Sequence, residues 1–438
     1  MLAVLREIIL DHQQTDFDTG IPRHLRVETL PGKATICIGV RRCGKSTYLF
    51  QRMRHLQDAG VPRENMLYLN FFDDRLHPLR HEGLNLILEA YYGLYPEKKD
   101  RETLHVFFDE IQAIPGWEAF VDRLLRSQRC EVFITGSSAQ MLSREIATQM
   151  RGRALAWELF PFSFTEFLDA RGVSYGVHLA SRERLQIRKA FEEYRERGGF
   201  PEVLGVDRRL RIRIHQEYLQ AILFRDLIER HDIAHPQAVS ELAHWLIDNA
   251  ASLYSINRLT GYLKSLGYHV PKSAVADYLE WFEDAYFLFT VPIHDASVAR
   301  TRTNPKKIYC IDHALIDSVA SGVLVNAGHR LENLIFVALR RHFGPIRYYR
   351  TRTRKEVDFI VRDAKRSYRL IQVCESLGQA ETRQREIAAL EEAMAETGNA
   401  QGIIVTAEEE AIHETTAGRI HILPAWKFVL LLDLQELP

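Results

Sequence analysis

The stretch Gly39-Val40-Arg41-Arg42-Cys43-Gly44-Lys45-Ser46 decides the fold of this chain. Its spacing, G-x-x-x-x-G-K-[ST], is that of a loop that wraps phosphate, and its flanks agree. Ala34–Val40 (ATICIGV) is a short apolar, β-branched run that predicts a buried strand, and Ser46–Leu56 predicts the helix that follows. Gly39 and Gly44 let backbone N–H groups close on an anion, where a side chain would block the approach or forbid φ > 0. Lys45 brings a point charge to the β- and γ-phosphates, Ser46 offers a hydroxyl to Mg²⁺, and the positive end of the helix faces the anion. Arg42, Cys43 and Thr47 complete the residues expected around bound ATP.

A second buried strand, Leu104–Asp109 (LHVFFD), ends in an Asp followed at once by Glu110. Asp109 is expected to hold Mg²⁺ together with Ser46, and Glu110 to polarise the attacking water. An acid pair in this order points to ATP hydrolysis and away from a small GTPase or a nucleotide kinase. A third strand, Glu131–Thr135, leads into Gly136-Ser137-Ser138. Polar residues at the carboxyl ends of parallel strands converge on the ligand crevice, so Ser137 or Ser138 either senses the γ-phosphate or caps the helix expected over Ala139–Thr148. Arg151-Gly152-Arg153 then precedes a strand at Leu155–Leu159, and a further strand is expected near Met66–Phe71.

Composition sets bounds. The 438 residues suit two or three domains. Hydrophobic residues at 46% and charged residues at 26% are ordinary for a soluble globular protein, and the net charge of −1 gives no global pull toward nucleic acid or membrane. The five cysteines (37, 43, 130, 310, 374) lack metal-ligand spacing and suit a reducing, cytoplasmic setting. Apolar runs such as Phe428–Leu432 fall far short of the roughly 20 residues that cross a bilayer, and no signal peptide is read at the N-terminus.

These motifs, with FPFSFTEFL at 160–168, GGFPE at 198–202, FRDLIER at 224–230, GHRLEN at 328–333 and LIQVCES at 370–376, give a resemblance over nearly the whole chain. The chain resembles the bacterial and archaeal AAA-type ATPases whose P-loop domain precedes a large C-terminal domain of unknown function. The resemblance implies ATP binding and hydrolysis, a homo-oligomer such as a ring, and work on DNA or in defence. It also implies that Arg151 or Arg153 reaches into a neighbouring subunit's site; the plain alternative is a solvated arginine pair.

The fold class expected is α/β: a P-loop parallel sheet with a helical lid, then a winged helix-turn-helix and a small α/β nuclease-like domain. Residues 1–30 read as a helix and connector, 31–165 as the ATPase core, and 166–235 as the lid, with helices at Arg182–Arg197 and Arg208–Arg230. Arg225 is either a lid arginine or a surface ion-pair partner. Residues 236–324 give helices at Pro236–Ala251, Ser255–Leu266 and Pro271–Ala285, then strands at Tyr286–Pro292 and Lys307–Ile311. If that module binds DNA, Lys272, Ser273, Arg300, Arg302, Lys306 and Lys307 are the expected contacts, although the third helix turns acidic after its start.

Residues 325–438 read helix, strand, strand, strand, helix, strand, which resembles the PD-(D/E)XK nuclease fold. Glu332 and Asp358 match positions in that pattern. The E-x-K triplet is replaced by Gln372-Val373-Cys374, so Mg²⁺ would be held poorly and a degenerate binding or assembly module is expected. Between Arg340 and Arg369 eleven Lys/Arg stand against three Asp/Glu. Arg347, Arg350, Arg352 and Arg354, interleaved with Tyr348 and Tyr349, suit phosphates and exposed bases of branched or single-stranded DNA, or else a protein-docking face. The reading is a cytoplasmic ATPase coupling ATP to remodelling of a partner, with DNA foremost and no membrane partner. A nucleotide-gated switch or scaffold is the alternative, and an active nuclease a lesser one.

Overall fold

A run of short, wholly apolar strands separated by helices can bury both strand faces only inside a parallel sheet with helices on each side. The computed structural model describes residues 1–137, 148–320, 327–363 and 367–438. They form two compact units, Met1–Phe160 and Pro161–Pro438.

In the first unit, helix α1 (Leu2–Gln14) is followed by β1 (Ala34–Ile38), α2 (Lys45–Asp58), β2 (Met66–Asn70), α3 (Asn85–Leu94), β3 (Leu104–Asp109), α4 (Trp117–Ser127), β4 (Cys130–Gly136) and β5 (Ala154–Glu158). All pairings are parallel and the sheet order is β2-β3-β4-β1-β5. Every residue of β1 and β3 is buried, which is why neither shows a polar alternation. Leu49 and Met53 of α2 pack with Met66, Tyr68, Phe107 and Phe133. Consecutive strands β1 and β2 are separated by β4 and β3. This order brings the carboxyl ends of β1, β4 and β3 side by side, where α/β sheets bind ligands. The helix expected over Ala139–Thr148, and Ser138 with it, falls almost wholly outside the described residues.

The second unit opens with α5 (Phe164–Ala170), α6 (Ser181–Arg197) and α7 (Arg208–Ala221), the last continuing through a wide π-helical stretch at Ile222–Ile228. Next come α8 (Pro236–Asp248), β6 (Leu253–Tyr254), α9 (Ile256–Ser265), α10 (Lys272–Asp284), β7 (Leu288–Val291), β8 (Lys306–Cys310) and α11 (His313–Val319). The three strands form an antiparallel sheet ordered β6-β8-β7. The helices expected to serve as a lid pack within this unit against α11. His313 shares a hydrogen bond with the Tyr194 carbonyl, His215 with Ser318, and Asp312 accepts from the Gly199 N–H. Gly199 is required there, because a Cβ would lie 2.4 Å from the Phe162 carbonyl oxygen.

The C-terminal part comprises α12 (Ala327–His342), β9 (Arg347–Arg350), β10 (Glu356–Arg362), β11 (Tyr368–Val373), α13 (Ala380–Thr397), β12 (Gln401–Thr406), β13 (Ala411–Thr415), β14 (Gly418–Pro424) and α14 (Ala425–Asp433). They build a six-stranded mixed sheet ordered β13-β14-β12-β11-β10-β9. Leu390 and Met394 of α13 pack over Val357, Ile360, Leu370, Ile404, Ile420 and Ile422. Hairpin β13–β14 and helix α14 extend the order of elements read from the sequence. The apolar run Phe428–Leu432 belongs to α14, and among the described residues no helix is long and apolar enough to cross a membrane.

Candidate nucleotide site

The β1–α2 loop has the shape its glycines predict, for two different reasons. Gly44 sits at φ +97° and starts α2 in a left-handed conformation, which costs glycine little. Gly39 is demanded by packing: a Cβ would lie 2.0 Å from the Leu159 carbonyl oxygen, on the chain leaving β5. Arg42, exposed, also adopts positive φ at 66°. Cys43 is fully buried, and burial pushes its thiol pKa up; the Cys37 thiol is pushed up to about 12 for the same reason. Both thiols are chemically quiet at neutral pH. Thr47 lies on the first turn of α2, beside the connector at Gly20.

Lys45 is buried, and its ammonium donates to the Gly39 and Val40 carbonyls, 3.1 Å each, while standing 3.6 Å from a Glu110 carboxylate oxygen. Burial disfavours the charge, but Glu110 and Asp109 outweigh it and raise the Lys45 pKa. Asp109, at the end of β3, is fully buried and accepts from the hydroxyls of Thr135, Ser46 and Tyr68, the last at 3.0 Å. Burial raises its pKa against those hydrogen bonds. Glu110 follows in left-handed backbone at φ 56°; its N–H donates to Thr135 Oγ1 at 3.1 Å and its carboxylate accepts from the Gln112 amide. Ser137 at the end of β4 is buried, and its hydroxyl has no hydrogen-bond partner among the described residues.

Three contributors escaped the sequence reading. Thr135 sits two residues before Ser137, on the same face of β4, and joins both acids. Tyr68 reaches Asp109 from β2. Arg23, in the connector, donates to the carbonyls of Cys43 (2.7 Å) and Phe160 (2.6 Å), and so ties the connector to the phosphate loop. The alternation of polar residues in ITGS could have flagged Thr135. Tyr68 and Arg23 carry no local signal.

The buried Asp109 carboxylate and its Ser46 partner form the donor set a hard divalent cation takes, so the residues fit Mg²⁺. Ser46 and Asp109 would hold Mg²⁺ there, and it would supply positive charge against the phosphates. The loop N–H groups and the Lys45 ammonium can take an anion, and the Glu110 carboxylate, 3.6 Å from Lys45, can accept a proton.

The remaining expected residues lie elsewhere. Arg151 is exposed in a turn at φ 51°, whereas Arg153 pairs with the buried Asp122 at 3.3 Å, which Arg126 also contacts. Lys272 and Ser273 are exposed at the start of α10. Arg352 and Arg354 are exposed in the β9–β10 turn, while Arg347 and Arg350 are half-buried on the edge strand, Arg350 on Glu356 at 3.2 Å. The aromatic interleaving does not form a stacking surface. Tyr348 is fully buried with its hydroxyl on the Pro305 carbonyl, and the Tyr349 hydroxyl donates to Glu396. The basic turn also meets acids of α13, where the Arg352 N–H donates to Glu396 and Lys355 pairs with Glu392. Lys307, expected as a DNA contact, is buried among carboxylates instead.

The fold and this cluster define a P-loop nucleotide protein, and comparison with known proteins places it more narrowly. Residues 31–168 match the AAA domain family, residues 188–323 a domain of unknown function (DUF8612), and residues 327–428 another (DUF4143). An uncharacterised protein of Methanocaldococcus jannaschii, MJ1544, is 33% identical over 440 residues, spanning 98% of this chain and 95% of that protein. An uncharacterised protein of Haemophilus influenzae is 30% identical over 74% of this chain and 78% of its own length. The chain belongs to this family of AAA-type ATPases with two C-terminal domains of unknown function. Among solved structures, the Aeropyrum pernix ORC1 protein in complex with DNA is similar at TM-score 0.32 and 15% identity, over 74% of this chain and 92% of that one. Cdc6p from Pyrobaculum aerophilum is similar at TM-score 0.24 and 15% identity, over 69% and 88%.

Proposed function

We propose that this chain binds ATP with Mg²⁺ and hydrolyses it, and uses the cycle to remodel a partner. The observation that carries this is the convergence of Lys45, Ser46, Asp109 and Glu110 at the carboxyl ends of β1 and β3, the parallel strands on either side of β4. Lys45 and the loop hold the phosphates, Ser46 and Asp109 hold Mg²⁺, Glu110 activates water, and Ser137 faces the γ-phosphate. Arg151 is the better placed of the arginine pair to act on a neighbouring subunit, since Arg153 is engaged with Asp122.

DNA is the partner class best matched by the exposed Lys272 and Ser273 at a helix start and by Arg352 and Arg354 on the turn. The three helices and antiparallel strands of residues 236–310 suit a winged helix. A second reading, a nucleotide-gated scaffold, is favoured by the acids Glu392 and Glu396 set against the basic turn and by the burial of Tyr348. Steady-state ATPase rate with and without duplex, single-stranded and branched DNA separates the two. Strong stimulation supports remodelling of DNA; slow turnover indifferent to every DNA refutes it and supports the scaffold.

A further inference from the structure

Lys307 lies on β8, two residues before Tyr309, and is 3% exposed. Its ammonium meets three carboxylates from two other elements: Glu332 of α12 at 2.9 Å, and Glu356 and Asp358 of β10 at 3.0 and 2.7 Å. The Tyr309 hydroxyl donates to the same Glu332 oxygen at 2.7 Å. The other Asp358 oxygen accepts from the Val373 N–H, and the other Glu356 oxygen from Arg350. Gln372, in place of the acid that a metal-binding version of this fold would carry, accepts from the Asp358 N–H and donates to Glu386.

A divalent ion needs a common point reached by anionic oxygens with lone pairs to spare. Here that point is filled by a nitrogen at hydrogen-bond distances, and the neighbouring Gln372 amide is engaged at both its oxygen and its nitrogen. Among the described residues, no group of three or more His, Cys, Asp and Glu side chains is set to hold a metal ion. The residues therefore do not fit the metal that the nuclease-like order of elements implies.

We propose that Lys307 is the resident cation of this centre: its ammonium takes the place of a metal ion, closes the centre to metal-dependent hydrolysis, and staples the 236–310 module to the C-terminal sheet. The electrostatics fit that arrangement. Burial and the neighbouring Asp358 push Glu332 up to about 8, against the pull of Lys307. Burial disfavours the Lys307 charge, yet Asp358 and Glu332 outweigh it and hold its pKa well above the ordinary value. The arrangement also accounts for a lysine in a position where DNA cannot reach it.

Thermal unfolding of the full chain tests this with Lys307→Met, Asp358→Asn and the double variant. Lys307→Met strands buried carboxylates and lowers Tm by roughly 10 °C. The double variant, with both charges gone, recovers several degrees of that loss. Should Lys307→Met fail to fold, the double variant against Asp358→Asn carries the comparison, and equal or higher Tm in the double variant supports the pairing. Additive losses would reduce Lys307 to packing and overturn the proposal. In the nucleotide-free wild type, Mn²⁺ leaves Tm unchanged. An Mn²⁺-dependent rise that Asp358→Asn abolishes would reveal a metal site and overturn it as well.

Discussion

The Thr135 hydroxyl donates to the buried Asp109 carboxylate across the β3–β4 pair, while its oxygen accepts from the N–H of the next residue, Glu110. One side chain thus fixes both acids of the site, including the left-handed backbone that turns Glu110 toward Lys45. Thr135→Val keeps the shape and removes the hydroxyl. A hydrogen bond to a charged group is worth about 1.5–3 kcal/mol, so ATP turnover should fall by about 10- to 100-fold. Thr135→Ser should restore most of it. Equal turnover in Thr135→Val and wild type would remove Thr135 from the site.

The two arginines before β5 should behave differently. Arg151→Ala should lower ATPase without changing Tm, and a mixture of that variant with Lys45→Ala should regain activity that neither has alone. Arg153→Ala breaks a contact to a buried carboxylate that Arg126 still holds, so it should cost about 1–2 kcal/mol of stability. Activity independent of protein concentration, with no recovery on mixing, would refute action between subunits.

One buried thiol, Cys43, lies in the phosphate loop and another, Cys37, on the strand before it. With Cys37 held near 12 and Cys43 also raised, neither supplies thiolate at pH 8, so alkylation should be many-fold slower than in denaturant. The sign for stability follows. Unfolded thiols ionise above about pH 8.5 and the buried ones do not, so the stability from burying neutral thiols is full below that pH and falls as pH rises through it toward 12. Rapid modification of Cys43 in the folded chain, read by mass spectrometry, would contradict this.

If the basic turn contacts DNA phosphates, log K against log[salt] should slope about −0.9 per phosphate on duplex. Arg352→Ala with Arg354→Ala should make the slope shallower by about two units and weaken binding alike across sequences. Lys272 and Ser273 variants should instead shift preference among DNA structures. Binding untouched by both sets, or absent at low salt, would leave the scaffold reading.

The sequence disclosed what is local. The phosphate loop, the Asp109-Glu110 pair and the five core strands each announce themselves within ten residues, because strand burial and loop chemistry are properties of short runs. What it concealed is set by register and long-range pairing. Thr135 and Tyr68 reach Asp109 from 26 and 41 residues away, and Lys307 reaches Asp358 across 51. Tyr348 and Arg347 are sequence neighbours on opposite strand faces, so a basic, aromatic run split into a core residue and a rim residue only once β9 paired with β10. Hairpin β13–β14 begins with an exposed strand, Ala411–Thr415, which lacks the apolar alternation that would reveal it.

ATP binding and ATP turnover, measured side by side on wild type and Glu110→Gln, address the assigned chemistry without an intermediary. Glu110 is assigned to the water and not to the phosphates, so Glu110→Gln should bind ATP as tightly as wild type and turn it over at least about 100-fold more slowly. Lys45→Ala should lose tight binding. Glu110→Gln turning over at the wild-type rate, or a wild type that neither binds nor hydrolyses ATP with Mg²⁺ present, would contradict the ATPase assignment.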